Sequence, residues 1–181
     1  ERELFSDGLD AFGVLFFEDG NIQDEKKNIL IRNAKGGMMF IDPRHYYEQT
    51  FRKANEMIAH ECFHWYRHRP YHLLMKMLGV RDDLGRVIRC AVDSGHGDTE
   101  KRSSFDWMEW QANSMVPYIL MPAKTATGKI EEMLREYHTG FADPRSGSQM
   151  EKLISELAEF YGLSKQTTKT RMSELGFIIA E

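Results

Sequence analysis

The chain has 181 residues and a mass of 21.1 kDa, the size of one ordinary domain and long enough to bury a core without covalent staples. Its 24 Lys and Arg against 28 Asp and Glu leave a net charge of −4, so the bulk positive field on which nucleic-acid binding rests is missing and nucleic acid is not expected as a partner. Two cysteines, Cys62 and Cys90, are too few for a disulfide framework, and neither a charged-then-apolar leader nor an apolar run of membrane-spanning length is visible; a cytoplasmic protein with no membrane partner is expected. The sequence opens on Glu1 and not on Met, which leaves room for a preceding segment.

In chain order, Phe12 to Phe17 is apolar and rich in strand formers, and Glu18-Asp19-Gly20-Asn21 after it is turn chemistry. The runs Asn28 to Arg32 and Met38 to Ile41 flank Asn33-Ala34-Lys35-Gly36-Gly37, whose paired glycines predict a hairpin loop and a small antiparallel sheet. From Thr50, an N-cap, to His68, the residues Phe51, Ala54, Ile58, Cys62 and Trp65 recur at steps of three and four; this predicts a helix with that stripe buried, ended by Pro70. The stretch Arg81 to Arg102 is polar and glycine-rich around Asp93 to Asp98 and reads as a mobile loop near the site.

A second helix is announced by Ser103-x-x-Asp106 and runs through Glu109 and Asn113 toward Pro117, which should end or kink it. Ile130, Met133, Leu134 and Tyr137 mark a third helix; Met150, Leu153, Ile154, Leu157 and Tyr161, before Gly162, mark a fourth. The remainder, with Gly162-Leu163-Ser164 between Leu157-Ala158 and Thr167 to Leu175, reads as helix, glycine turn and capped helix, a helix-turn-helix-like pattern. Lys165, Lys169 and Arg171 concentrate positive charge on its second helix, more suited to an acidic protein surface than to DNA in a net-acidic chain.

The segment that carries chemistry is His60-Glu61-Cys62-Phe63-His64. Residues four apart on a helix lie about 40° apart around its axis, so two imidazoles can converge on one ion, and zinc favours such nitrogen ligands. Glu61 lies beside that line, placed to act as general base toward a water. Cys62 falls on the apolar stripe and is expected in the core.

A catalytic zinc takes a third protein ligand, for which His68, His72, His96, Asp106 and Glu109 are candidates. His68 sits too near on the same rigid helix and His72 lies beyond Pro70, so both are expected to be exposed or hydrogen-bonded. Glu109 has Asn113 four residues on, a spacing that lets the carboxylate reach the metal while the amide orients a ligating imidazole; His96 is the runner-up. Trp65, Trp107 and Trp110 are expected in the core.

The stretches His60 to Trp65, Glu109-Trp110-Gln111-Ala112-Asn113 and Ile119-Leu120-Met121-Pro122, with Phe40-Ile41-Asp42-Pro43 upstream, resemble the ImmA/IrrE family of metallo-endopeptidases in kind, order and separation. The similarity covers residues 10 to 122 and is weaker beyond. It departs from the family pattern at Gln111, where Glu is common, at Met115-Val116, where Phe-Ala is common, and at Pro117. The resemblance implies a zincin-like arrangement, Glu109 as third zinc ligand, and action on helix-turn-helix repressors that derepresses mobile-element or stress genes in bacteria.

The reading is therefore an α+β fold: a small antiparallel sheet, a metal helix and a predominantly helical C-terminal part, with residues 1–122 as the metallopeptidase core and 123–181 packed on it. Zn2+ is held by His60, His64 and Glu109, with Glu61 catalytic, Asn113 behind the ligands and a transcriptional repressor as the protein substrate. The rival is a non-catalytic, metal-stabilised regulator that binds a repressor or DNA.

Overall fold

A computed structural model describes residues 11–24, 29–41, 51–79, 87–91, 104–138 and 147–178. Thr50, Asp42-Pro43, His96 and Ser103, each singled out above, lie outside them. The fold is α+β. Strands β1 (Ala11–Phe16), β2 (Gly20–Asp24), β3 (Ile29–Ala34) and β4 (Met39–Ile41) come first. Helix α1 (Phe51–Phe63) then runs into a π turn (His64–His68) and helix α2 (Arg69–Met77). Strand β5 (Val87–Ala91) precedes helices α3 (Ser104–Leu120), α4 (Ala123–His138), α5 (Gly147–Tyr161) and α6 (Lys165–Glu174).

The sheet is wired differently from the expected hairpin. β3 pairs antiparallel with β2, and β4 pairs with β1, Val14 opposite Phe40. Lys35 to Met38 does not join paired strands; it folds against the end of β1, where the Gly37 N–H donates to the Phe16 carbonyl at 2.7 Å and Asp19 accepts from the Lys35 ammonium and the Gly36 N–H. Gly37, at φ +89°, is required there, since a Cβ would lie 3.2 Å from the Trp65 ring. Part of the expected 81–102 loop is a strand, because Val87–Ala91 pairs with β1 and completes a sheet in the order β4-β1-β5. Being central, β1 is buried on both faces at Val14, Leu15 and Phe16.

The stripe expected to bury α1 is not the one that does. Cys62 and Ile58 are exposed, and the inward line is Ala54, Met57, Glu61, His64 and His68, again at steps of three and four. Apolar character misled here, because the polar metal-type residues themselves claim the buried face. Pro70 does not end the helix either. A proline ring clashes with the carbonyl four residues back, and the π turn just before it loosens the coil at that point, so the chain passes directly into α2 with Pro70 in its first turn. Pro117 likewise lies inside α3, and its own carbonyl accepts from the Met121 N–H at 2.9 Å.

A second core, Met121, Ala126, Ile130, Met133, Leu153, Ile154, Leu157, Leu163 and Met172, unites α4, α5 and α6 with the end of α3. The expected helix, glycine turn and capped helix are present: Gly162 adopts φ +62°, and the Ser164 hydroxyl accepts from the Thr167 N–H at 3.1 Å.

Candidate metal centre

α1 and α3 pack side by side, and one polar cluster bridges them. Nε2 of His60 lies 3.2 Å from Oε2 of Glu109, Nε2 of His64 lies 3.3 Å from its Oε1, and the two Nε2 atoms are 2.9 Å apart. Bonds of about 2.0–2.1 Å at tetrahedral angles would set ligand atoms about 3.3 Å from one another, so the carboxylate–imidazole spacings match a single tetrahedral ion and the imidazole pair is slightly tighter. All three side chains are buried or nearly so, and together they form a group that could hold a metal ion. Burial pushes the Glu109 carboxyl up, but the His60 and His64 imidazoles that face it outweigh this and hold it at about 2. Burial lowers the His64 imidazole, favouring the neutral form that ligates metals.

Glu61 is fully buried, and neither of its carboxylate oxygens has a hydrogen-bonding partner among the described residues. Burial, with Glu109 adding to it and His60 opposing, raises its carboxyl to about 7. A buried carboxyl poised near neutrality beside two imidazoles can both take up and release a proton. Orphaned oxygens of this kind are costly unless something polar shares the space, which suits a water bound between Glu61 and an ion.

The structure brings His60, Glu61, His64 and Glu109 together as expected. Asn113, by contrast, is exposed on α3. The group in contact with one of the converging imidazoles is His68: its Nδ1 lies 2.9 Å from Nδ1 of His64, and its Nε2 lies 3.1 Å from Oε1 of Gln111. His68 is not one of the three side chains that converge, and its contact with them was missed. The signal was there in the four-residue steps from His60 to His64 to His68. His72, beyond Pro70, stacks on Phe17 at 4.0 Å between ring centroids.

Two of the three tryptophans are not core. Trp107 and Trp110 stand about half exposed on either side of Glu109 in sequence and meet edge-to-face at 5.6 Å. Trp65 is half-buried, stacked near Phe17 and covered by the Arg69 guanidinium at 4.5 Å. A shallow cleft of about 390 Å3 lined by Trp65, Tyr66, Arg69, Pro70 and Leu73 includes none of the metal-centre side chains.

On the C-terminal pair, Lys165 and Lys169 are exposed, but Arg171 is not available to a partner. It is buried, donates to the Met121 carbonyl at 3.1 Å, pairs with Glu174 at 2.9 Å and lies over the Tyr118 ring. No helix among the described residues is long and apolar enough to cross a membrane. Compared with family models, curated proteins and solved structures, the chain matches none.

Proposed function

We propose that the chain is a cytoplasmic zinc-dependent endopeptidase of the ImmA/IrrE kind that cleaves a protein substrate, a helix-turn-helix transcriptional repressor, and so derepresses mobile-element or stress genes. The observation that carries the catalytic reading is the convergence of His60, His64 and Glu109 beside a fully buried Glu61 whose carboxylate has no hydrogen-bonding partner among the described residues. Sequence resemblance alone supports the repressor.

His60 and His64 supply two imidazole nitrogens and Glu109 a carboxylate oxygen, the donor set zinc favours in hydrolytic sites. When bound, the ion supplies Lewis-acid polarisation of a water and of the scissile carbonyl. Glu61 accepts the proton of the attacking water and delivers it to the leaving nitrogen, a role that fits a carboxyl raised to about 7. Trp107 and Trp110 offer an exposed aromatic surface on the same helix as Glu109, suited to gripping a peptide.

The test is incubation of the purified protein with the repressor encoded nearest its gene, followed by mass spectrometry of the fragments. Cleavage by wild type and none by Glu61→Gln, with equal zinc content, supports the enzyme. Unimpaired function of Glu61→Gln supports the non-catalytic regulator.

A further inference from the structure

Two side chains adjoining the metal centre take no part in the chemistry above: His68, which is buried, and the amide of Gln111, which reaches it from α3. Their contacts fix a direction. A neutral imidazole carries one proton, so one ring nitrogen donates and the other accepts. The Gln111 Oε1 has only lone pairs, so across the 3.1 Å contact it is the His68 Nε2–H that donates. His68 Nδ1 is then an acceptor, and its 2.9 Å approach to His64 Nδ1 requires a proton between them, which must belong to His64. With its proton on Nδ1, His64 turns a bare Nε2 toward His60 and Glu109.

We infer that Gln111 and His68 form a relay that sets the tautomer and ring orientation of His64 for metal binding. The inference rests on reading His60, His64 and Glu109 as a metal centre. Turning the Gln111 amide around reverses every link: its N–H2 would donate to His68, His68 would donate to His64, and the His64 proton would move to Nε2, where it blocks the ligand lone pair. The carbonyl orientation is thus the one compatible with a metal. A partner that orients a ligating imidazole typically contributes about 10–100-fold in metal affinity. Gln111 and His68 are positioning residues, neither of them among the three side chains that would hold the ion.

Two measurements decide it. Long-range 1H–15N spectra of the imidazoles in folded, metal-free wild-type protein at mildly alkaline pH should show His64 as the Nδ1–H tautomer and His68 as Nε2–H; the opposite pair overturns the relay. Zinc affinity by competition with a chromophoric chelator then separates Gln111→Met, which keeps the length but removes the acceptor, from Gln111→Glu, which keeps an acceptor. The relay requires about 10–100-fold weaker zinc binding in the first and wild-type or tighter binding in the second. Equal affinity of wild type and Gln111→Met, or equal loss in both variants, overturns it. Should wild type bind no zinc, the metallopeptidase reading fails, while the tautomer spectra still decide the relay.

Discussion

Glu56 on α1 accepts the backbone N–H of Ser164 at 2.8 Å, one helical turn before His60 and 108 residues away along the chain. Beside it, Asn55 Nδ2 meets the Gly162 carbonyl, and on the other flank Arg171 holds the Met121 carbonyl just past the end of α3. The glycine turn and α6 thereby brace both helices that carry metal-centre residues. Glu56→Ala should lower stability by about 1–3 kcal/mol, the worth of a hydrogen bond to a charged group, as read from urea melts. Gly162→Ala should cost more, because its Cβ would fall 2.4 Å from Asn55 Nδ2 at a φ of +62°. A glycine turn that tolerates alanine would refute the brace.

Metal content follows from the cluster itself. Purified without chelators, wild type should carry about one zinc per chain. His60→Ala, His64→Ala and Glu109→Ala should each lose most of it, whereas Glu61→Gln should retain it. His96→Ala should bind more tightly than Glu109→Ala, since a rigid helix presents Glu109 from within the site. Metal analysis giving the reverse order would move the third ligand.

Protonation of Glu61 gives a prediction with a definite sign. Its carboxyl is raised from 4.5 to about 7 in the folded protein, so between those values the folded state keeps a proton that the unfolded chain has released. Stability of the metal-free protein therefore falls as pH rises through this window, and the cost is fully present above it. Glu61→Gln, which cannot ionise, should be more stable than wild type by up to about 3 kcal/mol at mildly alkaline pH, with the difference vanishing below the unfolded value. Thermal melts at several pH values without metal would show it; a pH-independent difference would contradict it.

Substrate contact is predicted at two separate surfaces. Trp110→Ala should raise KM for the protein substrate with little change in kcat, because an exposed aromatic beside Glu109 contributes binding and not proton transfer. Lys165→Glu with Lys169→Glu should weaken repressor cleavage while zinc content stays constant. Arg171 is left out of that set: it is buried against Tyr118 and Met121, and its loss should destabilise the fold by about 2 kcal/mol or more. Sequence-specific binding of duplex DNA by the whole chain at about 10⁻⁸ M at physiological salt would overturn the protein-surface assignment.

Local signals were legible in the sequence, and choices among partners were not. The helical periods of α4 and α5, the Gly162 turn, the Ser164 cap and the His60–His64 pair are set by residues within a few positions of one another. β1 illustrates the other case: its runs looked like strands, but nothing local says that its neighbours are β4 and β5. The buried face of α1 was misjudged for a related reason. Glu61, His64 and His68 count as polar in any hydropathy pattern, and only α3, arriving some 45 residues later with Glu109 and Gln111, gives them a reason to be inside. Asn113 seemed placed to support an imidazole by spacing alone, yet it is exposed, and the α3 amide that meets an imidazole is that of Gln111, against His68.

The order of the sheet sets a timetable for synthesis. β1 lies between β4 and β5, so the central strand, made early, lacks one neighbour until residue 91 has left the ribosome, and Glu109 follows later still. Through that interval a growing chain holds His60 and His64 with no carboxylate to meet them. The last links, Ser164 to Glu56 and Arg171 to Met121, form only when α6 is complete. Folding of this kind, closed by contacts distant in sequence, is slow compared with local helix formation, and a chain stopped short of α6 would carry α1 and α3 without the links that brace them.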